Sequence, residues 1–305
     1  MEDIKILDGG LCTDLFINGG FVRAEVNKDP LWSARVLYEK PEEIMKAHLR
    51  FIKAGSDVVS TCSYQASVQG YMEHAQVTKE KAEKIIGSSV DVAKQAVQES
   101  GRRVLVAGSI SPYGAILHDM SEYTGSYIDT TSEQQLSDFH KTNIRILASK
   151  GVDLFAFETL PSLKEALVLA EILREYPTLK AWVSFSNKNG THTCYGEPFE
   201  EVFKALGNYH QIIAIGLNCC KSETISSFIQ LAHGNLAKHQ RLIIYPNNCA
   251  GGNVNSSEAP LEWLPKVKTW LESNLIGWIG GCCMTSPFQI GQIKQAVMEW
   301  QCEKK

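Results

Sequence analysis

Three cysteines stand where a thiolate metal site would need them. Cys282 and Cys283 close the turn Gly280-Gly281-Cys282-Cys283, and Cys219 ends the apolar run Gly216-Leu217-Asn218-Cys219. Vicinal cysteines do not easily bond to each other, whereas zinc is well served by thiolates presented from one tight turn. Three thiolates leave one tetrahedral position open, and an open position separates a catalytic zinc from a structural one. The competing use of a cysteine is as a small buried hydrophobe, and Cys12, Cys62, Cys194, Cys249 and Cys302 read that way. Cys219-Cys220 is a second vicinal pair, and Cys219 is assigned the ligand role because it lies closer to the strand end. Spacing alone leaves the trio open, since it is not a self-contained CxxC…CxxC pattern. No two histidines have HxxxH spacing, and His140 reads as a packed or capping residue.

The trio is meaningful only if the fold gathers it. Short apolar runs alternate with amphipathic stretches along the chain. Strands are expected at Ile4–Leu7, Asp57–Thr61, Arg103–Ala107, Asp153–Phe157, Ala181–Phe185, Ile212–Leu217, Arg241–Tyr245 and Leu275–Ile279. They are close to continuously apolar, as strands buried on both faces should be. Helical patterns follow near 41–54, 78–99, 132–149, 162–175, 198–206, 222–237, 259–273 and 286–300. Ser132 with Gln135, Ser162 with Glu165 and Ser286 with Gln289 read as capping boxes, and Pro287 suits a first helical position. Eight strand–helix alternations predict a single-domain α/β fold, a (β/α)8 TIM barrel, over 1–305, with a doubly wound open sheet as the alternative. In a barrel the chemistry lies where strands end. Asp8, Glu158, Cys219, Cys282 and Cys283 would then share one rim.

Composition narrows the function classes. A net charge of −4, with no Lys/Arg stripe among aromatics, argues against a nucleic-acid surface. No apolar run approaches the ~18–20 residues of a membrane span, and Met1-Glu2-Asp3-Ile4-Lys5 lacks the features of a signal peptide. Nine cysteines in an unexported chain point to reduced thiols and a cytoplasmic protein.

Asp8-Gly9-Gly10, Gly216-Leu217-Asn218-Cys219 and Gly280-Gly281-Cys282-Cys283 together resemble the homocysteine S-methyltransferase family, most closely its S-methylmethionine-using branch. Similar stretches are Asp29-Pro30-Leu31-Trp32-Ser33-Ala34, Ser63-Tyr64-Gln65-Ala66, Gly108-Ser109-Ile110-Ser111-Pro112-Tyr113-Gly114, Ser121-Glu122-Tyr123-Thr124-Gly125 and Glu158-Thr159-Leu160-Pro161. The resemblance implies a homocysteine-binding (β/α)8 barrel with one Zn(2+) per chain, held by the catalytic Cys219, Cys282 and Cys283. It places Asp8 and Glu158 near the homocysteine ammonium, beside the Gly9-Gly10 turn. Trp32 and Tyr64 match aromatic positions on the methyl-donor side, and Ser63 and Asn218 join the substrate-binding set. Tyr113 and Tyr123 stay undecided between donor binding and filling the barrel mouth. Two departures touch the rim and no ligand: Met284 stands where relatives often have arginine, and Cys249-Ala250 where a glycine–glutamate pair is common.

The implied reaction moves a methyl group from a sulfonium, S-methylmethionine or S-adenosylmethionine, to the thiolate of L-homocysteine, giving methionine. Thiolates suit it. A thiol pKa of about 8.5 leaves homocysteine mostly protonated at neutral pH, and zinc favours the thiolate. Partners are thus small molecules, with betaine as an alternative donor. The extra C-terminal oligomerisation segment of betaine-using relatives is not seen after Cys283, which favours a monomer. Two rival classes are a non-catalytic zinc- or thiol-binding barrel and a hydrolase with zinc-activated water. The latter generally uses histidines and carboxylates rather than three thiolates.

Overall fold

A computed structural model of the chain describes residues 4–248 and 260–304. Cys249-Ala250 and the expected start of the seventh helix lie outside them. Eight strands form the core: β1 (Lys5–Ile6), β2 (Val58–Ser60), β3 (Leu105–Ile110), β4 (Leu154–Leu160), β5 (Ala181–Phe185), β6 (Ile212–Asn218), β7 (Arg241–Tyr245) and β8 (Ile276–Ile279). All pair in parallel, in the order β1-β8-β7-β6-β5-β4-β3-β2. The ring closes at Asp57, whose N–H donates to the Ile6 carbonyl at 2.7 Å and whose Oδ2 accepts the Ile6 N–H at 3.0 Å. The fold is the expected (β/α)8 barrel and not an open sheet.

The continuous apolarity of the strands conceals an alternation. On β4, Phe155 and Phe157 join the large cluster between strands and helices, while Leu154 and Ala156 join a second cluster inside the barrel. On β7, Leu242 and Ile244 face outward, and Ile243 and Tyr245 inward. The inward set turns polar towards the C-terminal ends: Val58 is followed by Ser60, Ala107 by Ser109, Ala156 by Glu158 and Trp182 by Ser184. Period-two geometry thus puts an apolar plug low in the barrel and a polar layer at its mouth.

Among the described residues, eight helices cover the outside: α1 (Pro41–Ala54), α2 (Lys79–Ser100), α3 (Glu133–Ser149), α4 (Leu163–Leu173), α5 (Phe199–Leu206), α6 (Ile225–Ala232), α7 (Val267–Leu271) and α8 (Pro287–Glu303). The Ser132–Gln135 capping box forms as expected, and Gln289 Oε1 accepts the Ser286 N–H at 2.5 Å. The Ser162–Glu165 box does not form. Ser162 Oγ accepts the Glu165 N–H at 3.4 Å, but the Glu165 carboxylate is engaged with tertiary partners. Four short helices, Leu11–Asn18, Arg23–Val26, Ser33–Glu39 and Val68–Ala75, lie in loops at the mouth and were not anticipated. The first is tied to α1 by the fully buried Asp14, whose carboxylate takes two 3.0 Å bonds from Arg50 Nε and one of 2.5 Å from Nη2. No helix among the described residues is long and apolar enough to cross a membrane.

His48 on α1 is fully buried, and neither ring nitrogen has a hydrogen-bond partner among the described residues. Burial lowers its pKa from 6.5 to about 4. Only the unfolded chain takes up this proton between those values, so the associated stability is present above pH 6.5 and lost as pH falls towards 4. His48→Leu should therefore raise stability by about 2 kcal/mol more at pH 5 than at pH 7.5. Thermal melts at the two pH values check this, and equal shifts would contradict it.

Candidate active site

The three cysteines meet at the mouth. Their sulfur atoms all lie within 4.8 Å of one another, with Cys219 Sγ 3.6 Å from Cys283 Sγ. A tetrahedral ion with metal–sulfur bonds of about 2.3 Å holds its sulfurs about 3.8 Å apart, so the trio is spaced to hold such an ion. Cys283 is exposed, which leaves one side of the cluster open. All eight cysteines among the described residues are free thiols. Bonds to Cys283 from Cys219 and then Cys282 pull the Cys283 thiol well below its ordinary range, and Arg23 adds to the effect.

Backbone geometry sets these positions. Cys219 follows β6 with φ +49°, a left-handed conformation that costs an L-residue about 1–2 kcal/mol. Thr159 (φ +62°) and Met284 (φ +66°) also have positive φ around the same mouth, as does Trp32 in a different conformation (φ +46°, ψ −126°), the kind of clustered strain that marks functional sites. The turn 280–283 is stitched to its surroundings. Cys282 N–H donates to the Pro246 carbonyl and Cys283 N–H to Asn247 Oδ1, both at 3.0 Å, and Gly281 N–H reaches the Asp8 carbonyl at 3.3 Å. Glycine is required at 281, where a Cβ would lie 2.3 Å from Thr285 Cγ2 and 2.4 Å from its Oγ1. At Gly10 a Cβ would lie 2.7 Å from the Cys282 carbonyl oxygen. Gly281→Ala should therefore push the turn off Thr285 and weaken the affinity of the trio for added Zn(II) at least ten-fold while the barrel stays folded. Chelator competition with a parallel circular-dichroism melt checks this, and unchanged affinity would contradict it.

Two carboxylates lie near the sulfurs, Glu158 close enough to Cys219 and to Asp8 for their charges to interact. Asp8 follows β1 and accepts the Ser60 N–H at 2.8 Å. Glu158 lies inside β4, which runs on to Leu160 instead of ending at Phe157. A register shift between Phe157 and Leu160 breaks the ladder there. Its oxygens take bonds from Ser109 Oγ and, at 3.1 Å, from Tyr245 Oη, which also accepts from Trp182 Nε1 at 3.0 Å. Burial pushes both carboxyls up to about 7. For Asp8 the Ser60 N–H opposes this and the Glu158 charge adds to it.

Other expected residues have different surroundings. Asn218 clasps the irregular stretch of β4: its Oδ1 accepts the Thr159 N–H and its Nδ2 donates to Thr159 Oγ1, both at 2.8 Å. The buried Ser63 hydroxyl donates to the Ser109 carbonyl and meets Thr61 Oγ1, both at 2.7 Å. Both side chains thus brace the rim. Gly9 is fixed by packing, since a Cβ there would lie 2.5 Å from the Thr285 carbonyl oxygen. Tyr64 Oη is buried close to Thr159 and Cys219, and burial keeps it protonated. Trp32 is half-buried. Tyr123, left undecided from the sequence, places its hydroxyl 3.0 Å from Cys219 Sγ. Arg23 Nη1 reaches Met284 Sδ at 3.9 Å, so a cation approaches the rim from the loop after β1. Tyr245, Ser109 and Arg23 were missed. The inward alternation on β3 and β7 carries the signal for the first two; nothing local carries it for Arg23.

Residues 5–297 match the sequence profile of the family described as homocysteine S-methyltransferase. The chain belongs to that family. It is 35% identical to homocysteine S-methyltransferase 1 of Arabidopsis thaliana, covering 95% of this chain and 92% of that one. Identity to the homocysteine S-methyltransferase of Escherichia coli is also 35%, over 96% of this chain and 95% of the relative. The crystal structure of the homocysteine methyltransferase MmuM from Escherichia coli in a metallated form superposes with a TM-score of 0.82, at 36% identity and with 96% of each chain covered. Family membership thus agrees with the barrel and with a mouth lined by thiols and carboxylates.

Proposed function

We propose that this chain transfers a methyl group from a sulfonium donor, S-methylmethionine before S-adenosylmethionine, to the thiolate of L-homocysteine, giving methionine. The observation that carries the reading is the cluster of three thiols with one open side, set close to the half-buried Asp8 and the buried Glu158. Cys219, Cys282 and Cys283 would hold one Zn(2+). When bound, that ion supplies the Lewis acidity that favours the sulfur of an incoming thiol as thiolate.

The chain's own groups do the rest. Asp8 and Glu158, ionised, face the ammonium of the amino acid and fix its sulfur beside the trio. Trp32 and Tyr64 offer aromatic faces to the sulfonium, worth about 0.5–2 kcal/mol each. The homocysteine sulfur attacks the methyl carbon, a carbon–sulfur bond forms, and the donor's carbon–sulfur bond breaks with its electron pair staying on the departing thioether. The leaving group is neutral and needs no general acid. Positioning is therefore the main contribution the protein makes.

A donor panel tests the proposal. With homocysteine as acceptor, S-methylmethionine should turn over fastest, and prior zinc removal should abolish activity. No turnover with any sulfonium would leave a non-catalytic thiol-binding barrel, and turnover only with betaine would reassign the donor.

A further inference from the structure

The loop after β3 reaches the cysteines from one side and a buried carboxylate of the outer shell from the other. Glu165, in the first turn of α4, is fully buried. Its Oε1 accepts the Tyr113 N–H at 2.7 Å and lies 2.8 Å from His140 Nε2, and its Oε2 accepts the Tyr127 hydroxyl. One carboxylate thus holds both ends of the segment 113–127. Its neighbour Lys164 takes the following turn, with Nζ bonded to the Ile128 and Thr131 carbonyls at 2.9 and 2.6 Å.

Between those ends the segment folds on itself. Ser121 Oγ donates to the Gly114 carbonyl at 3.3 Å, and Gly125 N–H to the Ser121 carbonyl at 2.7 Å. Gly114 lies so close to the Tyr127 ring that a Cβ would stand 2.5 Å from it. A segment packed in this way is braced from end to end. Its inner edge carries Glu122, whose carbonyl accepts Ser186 Oγ at 2.6 Å, and Tyr123, whose hydroxyl lies 3.0 Å from Cys219 Sγ.

We propose that Glu165 is a positioning residue for this site: from the outer shell it fixes the segment 113–127 so that the Tyr123 hydroxyl stays against the Cys219 sulfur. Glu165 itself is buried among Tyr113, Tyr127 and His140 and acts through Tyr123. An O–H held at that sulfur donates to a thiolate and tempers its charge, the kind of outer contact whose loss typically costs 10–100-fold.

Two arms test this, and only the first rests on the methyl-transfer reading above. In the zinc-loaded enzyme, Glu165→Ala should lower kcat/KM by about 10–100-fold with zinc content unchanged. Glu165→Gln, which keeps an acceptor for the Tyr113 N–H, should recover most of the loss. Added to Tyr123→Phe, Glu165→Ala should cost less than about two-fold more, because residues acting through one contact are not additive. Fully additive losses would overturn the proposal by making Glu165 a general support of the fold, and so would unchanged activity in Glu165→Ala. In the second arm, hydrogen exchange of the metal-free chain should rise at least ten-fold across 113–127 in Glu165→Ala, and in Tyr127→Phe should the first variant fold poorly. Unchanged protection there, or loss across the whole barrel, overturns the proposal. A wild-type chain with no methyl transfer would remove the proposed function and leave the exchange arm to decide this one.

Discussion

Cys219→Ala should abolish both stoichiometric zinc and methyl transfer while leaving the barrel folded. The loss of metal affinity is expected to be on the order of 1,000-fold or more, about 4 kcal/mol or above. One thiolate of three is removed, and the two that remain sit on a single turn. The barrel survives because Cys219 sits at the mouth, above the apolar plug of Trp182, Ile243 and Tyr245. Its backbone is strained at φ +49°, so Cys219→Gly should match Cys219→Ala in lost zinc yet melt at a higher temperature. Cys282→Ala should behave like Cys219→Ala. Zinc per chain after dialysis, turnover, and the melting temperature of the metal-free protein together decide the matter. Full activity in a zinc-free variant would remove the proposed chemistry, and a collapsed melt would make Cys219 a structural residue.

Asp8→Asn should raise KM for homocysteine about 10- to 100-fold at pH 8 with zinc retained, and should also make the substrate-free protein more stable. The second effect follows from linkage. Burial raises the Asp8 carboxyl from 3.8 to about 7 in the folded chain. A raised carboxyl contributes stability below its unfolded pKa and loses it as pH rises through 7, so the ionised group burdens the free fold at pH 8. The full shift corresponds to about 4 kcal/mol, and the partial exposure of Asp8 reduces the realised figure. Glu158→Gln should show the same pair of effects, since burial also lifts Glu158, from 4.5 to about 7. A bound ammonium would offset the burden by ionising both groups. Hence the wild-type KM should also climb as pH falls below 7. Substrate-free melts at pH 5 and pH 8, with KM at pH 8, check both statements. A lower melting temperature at pH 8 in the variants, or an unchanged KM, would show that these carboxylates brace the barrel.

The strands were legible because burial on both faces selects continuous apolar runs, and β4 and β7 show it. The same property hid the alternation. With Phe155 outside and Ala156 inside, both apolar, nothing marks which side chains enter the barrel until the polar Glu158 and Tyr245 appear. The cysteine trio could be proposed but not assembled from spacing, because β6 and β8 are joined through β7 in space and lie far apart in sequence. The short helix Leu11–Asn18 starts at Gly10 with no side-chain cap, so it carries no local start signal. Glu165 misled for the opposite reason. Its spacing from Ser162 satisfies a capping box, yet tertiary partners outcompete the local bond, and those partners are where its interest lies.

The plug formed by Leu154, Trp182 and Trp278 beneath the polar layer has a consequence for traffic. With the floor filled, the described barrel offers its sulfurs a single doorway, and two reactants must share it. Under the proposed reaction, the reactant seated against Asp8 and Glu158 would have to arrive before the one that covers it. A closed floor would in that case impose an order of arrival that a pore would not.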